Sequence, residues 1–247
     1  MPAAGSRIAR FFVDTPLGPG ARLVLPPDAG HHAFRVLRLR EGDAVTLFNG
    51  AGGEYAARIL RVSREAVEVE ALAHAATERE SSLDVTLAQG ISAGDRMDLT
   101  IQKSVELGAW AIQPLIAERS VVRLKGERGD HRREHWQRVA AAACEQCGRN
   151  RVPPVAPAIA TTAFRAPADA LKLLLAPGAQ TVLRALSLSA ARPIVLAAGP
   201  AAGFSPREEA LLIAGGFVPV GLGPRILRTE TAGPAALAAL NALAGDG

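Results

Sequence analysis

Residue types that could take part in catalysis or ligand binding lie together in one short segment, 221–231, which reads GLGPRILRTET. Two glycines and a proline precede an apolar pair, and Arg228 and Glu230 follow. A guanidinium can stabilise an anion that forms during a reaction, and a carboxylate can accept a proton or orient the guanidinium. The alternative is a purely structural salt bridge between Arg228 and Glu230, and the segment alone leaves both interpretations open.

Three predicted strands end in small or loop-forming residues. Their loops are residues 176–178 (APG), 198–203 (AGPAAG) and 221–225 (GLGPR). In open parallel sheets ligands bind beyond the carboxyl ends of the strands, and small side chains let backbone groups approach a ligand closely. The three loops together predict a site for an adenine-bearing cofactor in an apolar slot. Taken singly, each loop is more typical of an ordinary turn.

The class of cofactor is narrowed by the motifs that the chain lacks. A dinucleotide site needs G-x-G-x-x-G between a strand and a helix, and a P-loop needs G-x-x-x-x-G-K-[ST]. The sequence contains neither pattern. Three loops without a phosphate-binding motif therefore favour a nucleoside cofactor that carries no phosphate, and they argue against a nicotinamide-dependent oxidoreductase.

The two cysteines, Cys144 and Cys147, form a single C-x-x-C pair. A structural zinc site would need two more ligands, and a redox pair would begin a helix instead of lying near its end. We therefore expect the cysteines to pack within a helix, and we expect no bound metal. The low cysteine content fits a reducing compartment, and no apolar run reaches about 18 residues. These features predict a cytoplasmic protein that does not enter a membrane.

Positive charge is concentrated in one part of the chain. The net charge is +4, and residues 119–151 contain nine basic and four acidic residues, which covers the whole excess. Such a cluster can bind the phosphates of a nucleic acid. A solvated helix face would show the same pattern.

The first 74 residues are predicted to form a small β-barrel. Alternating apolar residues mark strands at 21–25, 44–48, 55–60 and 66–72, and turn residues separate them. A helical piece at 31–38 interrupts the strands. Several short strands in so few residues are typical of a small barrel. Residues 75–82 are polar and rich in alanine, and they are predicted to be a linker.

Residues 83–247 are predicted to be an α/β domain with a mainly parallel sheet, because strands and helices alternate. Ser205 and the acid three positions later form a capping box at the start of the helix 206–214. The other predicted strands are 84–89, 109–116, 171–175, 193–197 and 217–222. The other predicted helices are 95–107, 131–147, 181–188 and 233–244.

Four segments, in order, resemble one family. The segment 219–232, PVGLGPRILRTETA, is similar to the C-terminal signature of the uridine-N3 methyltransferases of small-subunit (16S) ribosomal RNA, in the SPOUT superfamily. Residues 31–43, 102–115 and 145–155 match other parts of that pattern, so the resemblance spans nearly the whole chain. It implies a PUA-like barrel followed by an α/β domain with a deep trefoil knot. It also implies S-adenosylmethionine as the cofactor, a homodimer, and 16S rRNA or the small ribosomal subunit as the partner.

The resemblance and the loops together predict the site residues. Arg228 would stabilise the uracil anion, and Glu230 would be the base or would orient Arg228. The predicted cofactor-binding residues are Ala176, Pro177, Ala198, Gly199, Gly203, Leu222, Gly223, Ile226, Leu227, Arg228 and Thr231. The predicted RNA-binding residues are Arg35, Arg38, Arg40, Arg123, Arg132, Arg133 and Arg149.

The second loop departs from the family pattern. Family members usually carry Gly-Pro-Glu-Gly-Gly, whereas residues 199–203 of this chain read Gly-Pro-Ala-Ala-Gly. Ala202 would restrict a backbone angle that glycine allows, and a carboxylate is missing at Ala201. These changes leave an alternative open, in which the chain is a knotted RNA-binding module that has lost or altered catalysis.

Overall fold

The structure is a computed structural model that describes residues 8–120, 126–186, 188 and 192–245. Within these residues the chain forms two compact units. One unit extends to Glu80 and also includes Cys144–Val152, and the other comprises Ser81–Ala143 and the chain from Pro153 onward. The segment 144–152 is thus far in sequence from the other residues of the unit to which it belongs.

Five strands of the N-terminal unit form one sheet. The elements are β1 Ala9–Phe12, β2 Arg22–Val24, α1 Pro27–His31, β3 Ala44–Phe48, β4 Glu54–Val62 and β5 Val67–Ala75. The strand order is β1-β3-β4-β5-β2, and only the pair β1 and β3 is parallel. Alternate residues of the strands, such as Val45 and Leu47 of β3, are buried in an apolar core. This period of two is the one expected for a sheet with a single buried face.

The predicted helix over 31–38 is wrong at both ends. α1 begins at Pro27, because proline suits the first turn of a helix. A five-residue π-helical turn, His32–Val36, continues it. The helical segment ends before Arg38, whose φ of 53° lies in the left-handed region.

The second unit contains a six-stranded parallel sheet, which confirms the predicted α/β fold. Its elements are β6 Val85–Gly90, α2 Arg96–Glu106, β7 Ala111–Ile116, α3 Glu127–Cys147, β8 Ile159–Ala160, β9 Leu171–Leu175, β10 Ile194–Ala198, α4 Pro206–Ala214, β11 Val218–Val220 and α5 Thr229–Ala244. The last residues of α3 belong to the segment 144–152. The strand order is β11-β9-β10-β6-β7-β8. All five residues of β10 are buried, as expected for a central strand of a parallel sheet.

The two C-terminal helices differ in how well the sequence marks their starts. The predicted capping box of α4 is confirmed, because Ser205 and Glu208 bond reciprocally to each other's backbone N–H. α5 begins at Thr229, four residues before the predicted start. Its N-cap residue, Arg228, makes no capping side-chain bond, so the usual start signal is absent. As a result Pro234 lies inside α5 and not in its first turn.

The predicted helix over 181–188 does not form in the described part of that segment. Val182 instead forms an isolated parallel bridge with Gly221, and only a short 3-10 turn, Leu183–Ala185, follows. The pairing with Gly221 holds the chain extended and uses the backbone groups that a helix would need. Ser187 lies outside the described residues. The trefoil knot implied by the resemblance stays a prediction.

Candidate functional site

A cavity of about 370 Å³ opens at the carboxyl ends of β9, β10 and β11, which are neighbours in the sheet. Because these strands are parallel, the loops that follow them leave the sheet at the same edge. Residues of all three predicted loops therefore line one cavity, although the loops are far apart in sequence. The volume falls in the range of small-molecule sites, about 300–1,000 Å³.

Most of the predicted cofactor residues line this cavity. The residues that do so are Ala176, Pro177, Ala198, Gly199, Gly203, Leu222, Gly223, Ile226, Leu227 and Arg228. Glu230, predicted as catalytic, also lines it. Thr231 does not, because its side chain is exposed in the first turn of α5 and outside the cavity wall. Thr231 is therefore the one predicted cofactor residue outside this lining, and its role in cofactor binding stays a prediction.

Further lining residues lie outside the predicted set. They are Arg96, Leu175, Pro200, Ala201, Phe204, Glu209, Val220, Arg225, Thr229 and Ala232. Leu175 and Val220 end the strands that precede the loops, so the strand pattern contained a signal for them. Arg96 begins α2 and Glu209 lies on α4, and no sequence pattern connects either residue to the loops.

A buried group of polar side chains lies behind the cavity. The Nε2 of Gln89, near the end of β6, donates to the hydroxyl of Thr229 at 3.1 Å and to the carbonyl of Gly199 at 3.3 Å. Thr229 in turn donates to the Gly199 carbonyl at 2.9 Å. Ser92 donates to the Thr229 hydroxyl at 3.3 Å. Gln89 is not among the predicted site residues, because it reaches these partners only through the tertiary fold.

Arg228 and Glu230 both face the cavity at the start of α5. No ion pair joins them in the part of the chain that the structure describes, so the structural salt bridge is not observed. The Oε2 atom of Glu230 is buried and has no hydrogen-bond partner among the described residues. A buried acceptor without a partner is costly, so this oxygen is a candidate to accept a hydrogen bond from a ligand.

Comparison with known proteins identifies the family. A family model described as an RNA methyltransferase domain matches residues 79–241, and one described as an RNA methyltransferase PUA domain matches residues 25–72. Ribosomal RNA small subunit methyltransferase E of Buchnera aphidicola (strain APS) is 30% identical over 97% of this chain and 95% of its own length. The corresponding Synechocystis protein is 37% identical over 86% of this chain and 70% of its own. The chain belongs to the ribosomal RNA small subunit methyltransferase E family.

Two solved structures extend this result to the fold of the family. Ribosomal RNA small subunit methyltransferase E of Neisseria gonorrhoeae, bound to S-adenosyl methionine, is 42% identical over 97% of this chain and 99% of its own, with a TM-score of 0.91. A Legionella pneumophila methyltransferase, in complex with the same cofactor, is 40% identical over 98% and 100%, with a TM-score of 0.93. The predicted family and the predicted α/β fold with an N-terminal PUA domain are therefore confirmed.

The departure in the second loop does not strain the backbone of this family member. Arg38 is the only non-glycine residue with a positive φ in the described residues, so Ala202 needs no glycine-like angle. Gly203, which the chain retains, has the positive φ of 69°. Ala202 therefore has a backbone conformation that alanine tolerates. The alternative of an inactive module is not supported, because the similar proteins are named as methyltransferases.

The predicted RNA-binding arginines have different surroundings. Arg35, Arg38 and Arg40 are exposed in the N-terminal unit, and Arg132 and Arg133 are exposed on α3 in the second unit. Arg123 lies outside the described residues.

Arg149 is the exception, and the prediction for it is corrected. Its side chain is only 5% exposed, and its Nε donates to the Glu80 carboxylate at 2.9 Å. A guanidinium that is buried and paired in this way stabilises its own unit and is not available to an RNA phosphate.

The segment 144–152 is held in the N-terminal unit by further polar contacts. The Glu145 carboxylate accepts from the N–H of Phe12 at 2.8 Å, and Asn150 accepts from Arg10 at 2.6 Å. Burial raises the pKa of Glu145, although the hydrogen bond from Phe12 and the charge of Arg10 oppose that rise. The motif that resembles the family pattern at 145–155 therefore contains residues that attach this segment to the N-terminal unit.

The cysteines fit helix packing better than redox chemistry. Cys144 is buried in α3, and neither cysteine is in a disulfide. A hydrogen bond with Cys147, together with burial, raises the pKa of Cys144 far above its ordinary value, which disfavours a reactive thiolate. The described residues contain no cluster of His, Cys, Asp or Glu that could hold a metal. They also contain no helix long and apolar enough to cross a membrane.

Proposed function

We propose that this chain is an S-adenosylmethionine-dependent methyltransferase that methylates N3 of a specific uridine in 16S rRNA. The observation that carries the proposal is the single cavity that the three loops form, in a chain 42% identical to a family member bound to S-adenosyl methionine. We include in the proposal a homodimer and a cytoplasmic location, as the family resemblance implies.

The cavity suits this cofactor. Small residues at Ala198, Gly199 and Gly203 leave backbone groups accessible, and Leu222 and Leu227 supply apolar surface for an adenine ring. The unpartnered Oε2 of Glu230 offers an acceptor within the same lining. When bound, the cofactor supplies a methyl group on a positively charged sulfur, which is a good leaving group.

Arg228 and Glu230 would prepare the uracil for reaction. Neutral N3–H is a poor nucleophile, so its proton must leave, and negative charge then spreads to O2 and O4. Arg228 would stabilise that charge, and Glu230 would accept the proton or orient Arg228. A positioned base typically contributes about 10²–10⁴-fold, and alignment of the reacting groups can lower the barrier by about 7–11 kcal/mol.

The target base must be unpaired or flipped out of a helix, because N3 lies on the pairing edge of uracil. The exposed arginines of each unit would bind the surrounding phosphates. Arg35, Arg38 and Arg40 supply this charge in one unit, and Arg132 and Arg133 supply it on α3 of the other.

Mass spectrometry of nucleosides tests the proposal. Small subunits from a strain that lacks the gene would be incubated with the purified protein and S-adenosylmethionine. We expect 3-methyluridine to appear in 16S rRNA with the wild-type protein. An unchanged uridine profile would reject the proposed function.

Two variants test the assigned roles. Arg228→Ala and Glu230→Gln should slow methyl transfer strongly while cofactor affinity, measured by calorimetry, stays within about tenfold, or about 1.4 kcal/mol. Thr231→Ala is a matched control, because this residue lies in the same helical turn but outside the cavity. A large loss of affinity in either test variant would reassign that residue to cofactor binding.

A further inference from the structure

Gln89 lies outside the cavity lining but connects two of its walls. We propose that Gln89 is a positioning residue, which acts through the Gln89 clasp: the Gln89 amide, the Thr229 hydroxyl and the Gly199 carbonyl. The clasp joins the end of β6, the loop after β10 and the first residue of α5. This inference rests on the proposed function, because it assigns the clasp a role in holding the cofactor site together.

The clasp is shielded from water. Gln89 is 1% exposed and Thr229 is 7% exposed. A buried hydrogen bond has no solvent to replace it, so the loss of one partner leaves the other group unsatisfied. The three elements are therefore held by contacts that are costly to break one at a time.

The position favours a side-chain N–H donor, which the Gln89 amide supplies, although its buried Oε1 has no hydrogen-bond partner among the described residues. The Nε2 of Gln89 faces three acceptors, which are the Thr229 hydroxyl and the carbonyls of Gly199 and Gly90, the last at 3.0 Å. A carboxylate here would place a negative oxygen against two carbonyl oxygens, and an aliphatic side chain would donate nothing. Both changes would keep the approximate volume and remove the bonds that Nε2 donates to the carbonyls of Gly90 and Gly199.

Two glycines allow the close packing around the clasp. A Cβ on Gly90 would collide with Pro200 and would lie 2.8 Å from the carbonyl carbon of Gly199, so the loop after β10 can approach β6 only because Gly90 has no side chain. A Cβ on Gly233 would lie 3.3 Å from the Oε1 of Gln89. The absence of side chains at Gly90 and Gly233 thus lets the backbone lie close to the loop after β10 and to the side chains of Leu87 and Gln89.

The clasp has a functional consequence because of the residues beside it. Thr229 lies between Arg228 and Glu230, and Gly199 lies in the second cofactor loop. A shift of Thr229 away from Gly199 would move the two charged groups relative to the cofactor loop. Gln89 thus governs both cofactor affinity and the rate of transfer without touching either reactant.

The test compares Gln89→Leu and Thr229→Val with Thr229→Ser. We expect the first two variants to weaken S-adenosylmethionine binding about tenfold in calorimetry, and to lower kcat even at saturating cofactor. Thr229→Ser keeps the hydroxyl and should restore affinity to within about twofold of the wild type. Hydrogen exchange in the cofactor-free protein should be faster over residues 199–204 in Gln89→Leu and Thr229→Val.

Gln113→Leu is the matched control. Its side-chain amide also bonds two backbone carbonyls, those of Pro114 and Pro157, from a strand of the same sheet, but it does not line the cavity. We expect wild-type affinity, kcat and exchange over residues 199–204 in this variant.

The outcomes separate the two proposals. Folded Gln89→Leu and Thr229→Val proteins with wild-type exchange over residues 199–204 would overturn the clasp. The clasp would also be overturned if Gln113→Leu changed the cofactor affinity and kcat as much as Gln89→Leu and Thr229→Val do. If Gln89→Leu does not fold, Thr229→Val decides the question alone. A wild-type protein that binds no S-adenosylmethionine would overturn the proposed function, while the exchange measurement would still test the clasp.

Discussion

Replacing Glu54 with glutamine should remove a pH-dependent part of the stability of the N-terminal unit. Burial raises the pKa of Glu54, but hydrogen bonds and charge from Arg79 and Arg10 outweigh burial and lower the pKa from 4.5 to about 2. Both guanidinium groups donate to the carboxylate, that of Arg79 at 3.0 Å. The folded state therefore favours the ionised form of Glu54.

The sign of the effect follows from the lowered pKa. The stabilisation is fully present above pH 4.5 and is lost as the pH falls from 4.5 toward 2. The difference between the folded and unfolded pKa corresponds to at most about 3 kcal/mol. Because the Glu54 side chain is 18% exposed and that of Arg79 is 45% exposed, solvent weakens the interaction, and we expect about 1–2 kcal/mol.

Urea unfolding followed by circular dichroism measures this contribution. The free energy of unfolding of the wild type should exceed that of Glu54→Gln at pH 6.5, and the gap should narrow steadily as the pH is lowered from 5 to 2.5. Glu65→Gln, at an exposed turn residue of the same unit, should leave the wild-type pH profile unchanged. Parallel profiles for the wild type and Glu54→Gln would refute the reasoning.

Three other changes have measurable outcomes. Gly90→Ala should weaken S-adenosylmethionine binding more than tenfold in calorimetry, because the new Cβ would collide with Pro200 in a cavity wall. Ser205→Ala should lower the Tm by about 2–4 °C in a thermal scan, since the loss of a helix cap costs about 1 kcal/mol. Arg149→Ala should reduce the free energy of unfolding, measured with urea, by about 3–5 kcal/mol. The Glu80 carboxylate, which is mostly buried, would lose its guanidinium partner.

The cofactor cavity could be predicted from the sequence because the residues that indicate it lie next to each other along the chain. Each strand pattern is followed directly by small residues, and parallel strands bring their carboxyl ends to one edge without further information. Ala176, Gly199 and Gly223 therefore line one cavity, although they come from three separate loops. The resemblance to a family added the identity of the cofactor, which the loops alone left at the level of a nucleoside.

The rest of the site depends on contacts between distant elements. Gln89 is an ordinary polar residue at the end of a strand until the fold brings it to Thr229, 140 positions later. Arg96 and Glu209 reach the cavity from helices whose own sequences carry no binding pattern. The start of α5 was also missed, since Arg228 provides no capping side chain and the alanines after position 233 dominate the helical pattern.

The charge count over residues 119–151 combined two kinds of basic residue. Arg132 and Arg133 are exposed on α3, where a phosphate could reach them. Arg149 belongs to a different unit and is paired with Glu80 in its interior. Composition cannot separate these cases. Whether an arginine is solvated or buried depends on the unit with which its segment folds, and the residue count does not contain that information.

The second loop shows which family features the backbone needs. Gly203 has a φ of 69°, which favours glycine, and a Cβ on Gly199 would lie 3.1 Å from the N atom of Phe204, which is a tight contact. The two alanines occupy positions between them that have no positive φ. Because Ala201 takes the place of the acid, this position of the cavity lining carries no carboxylate. The cavity still contains the carboxylates of Glu209 and Glu230, so a charged acceptor remains within the site.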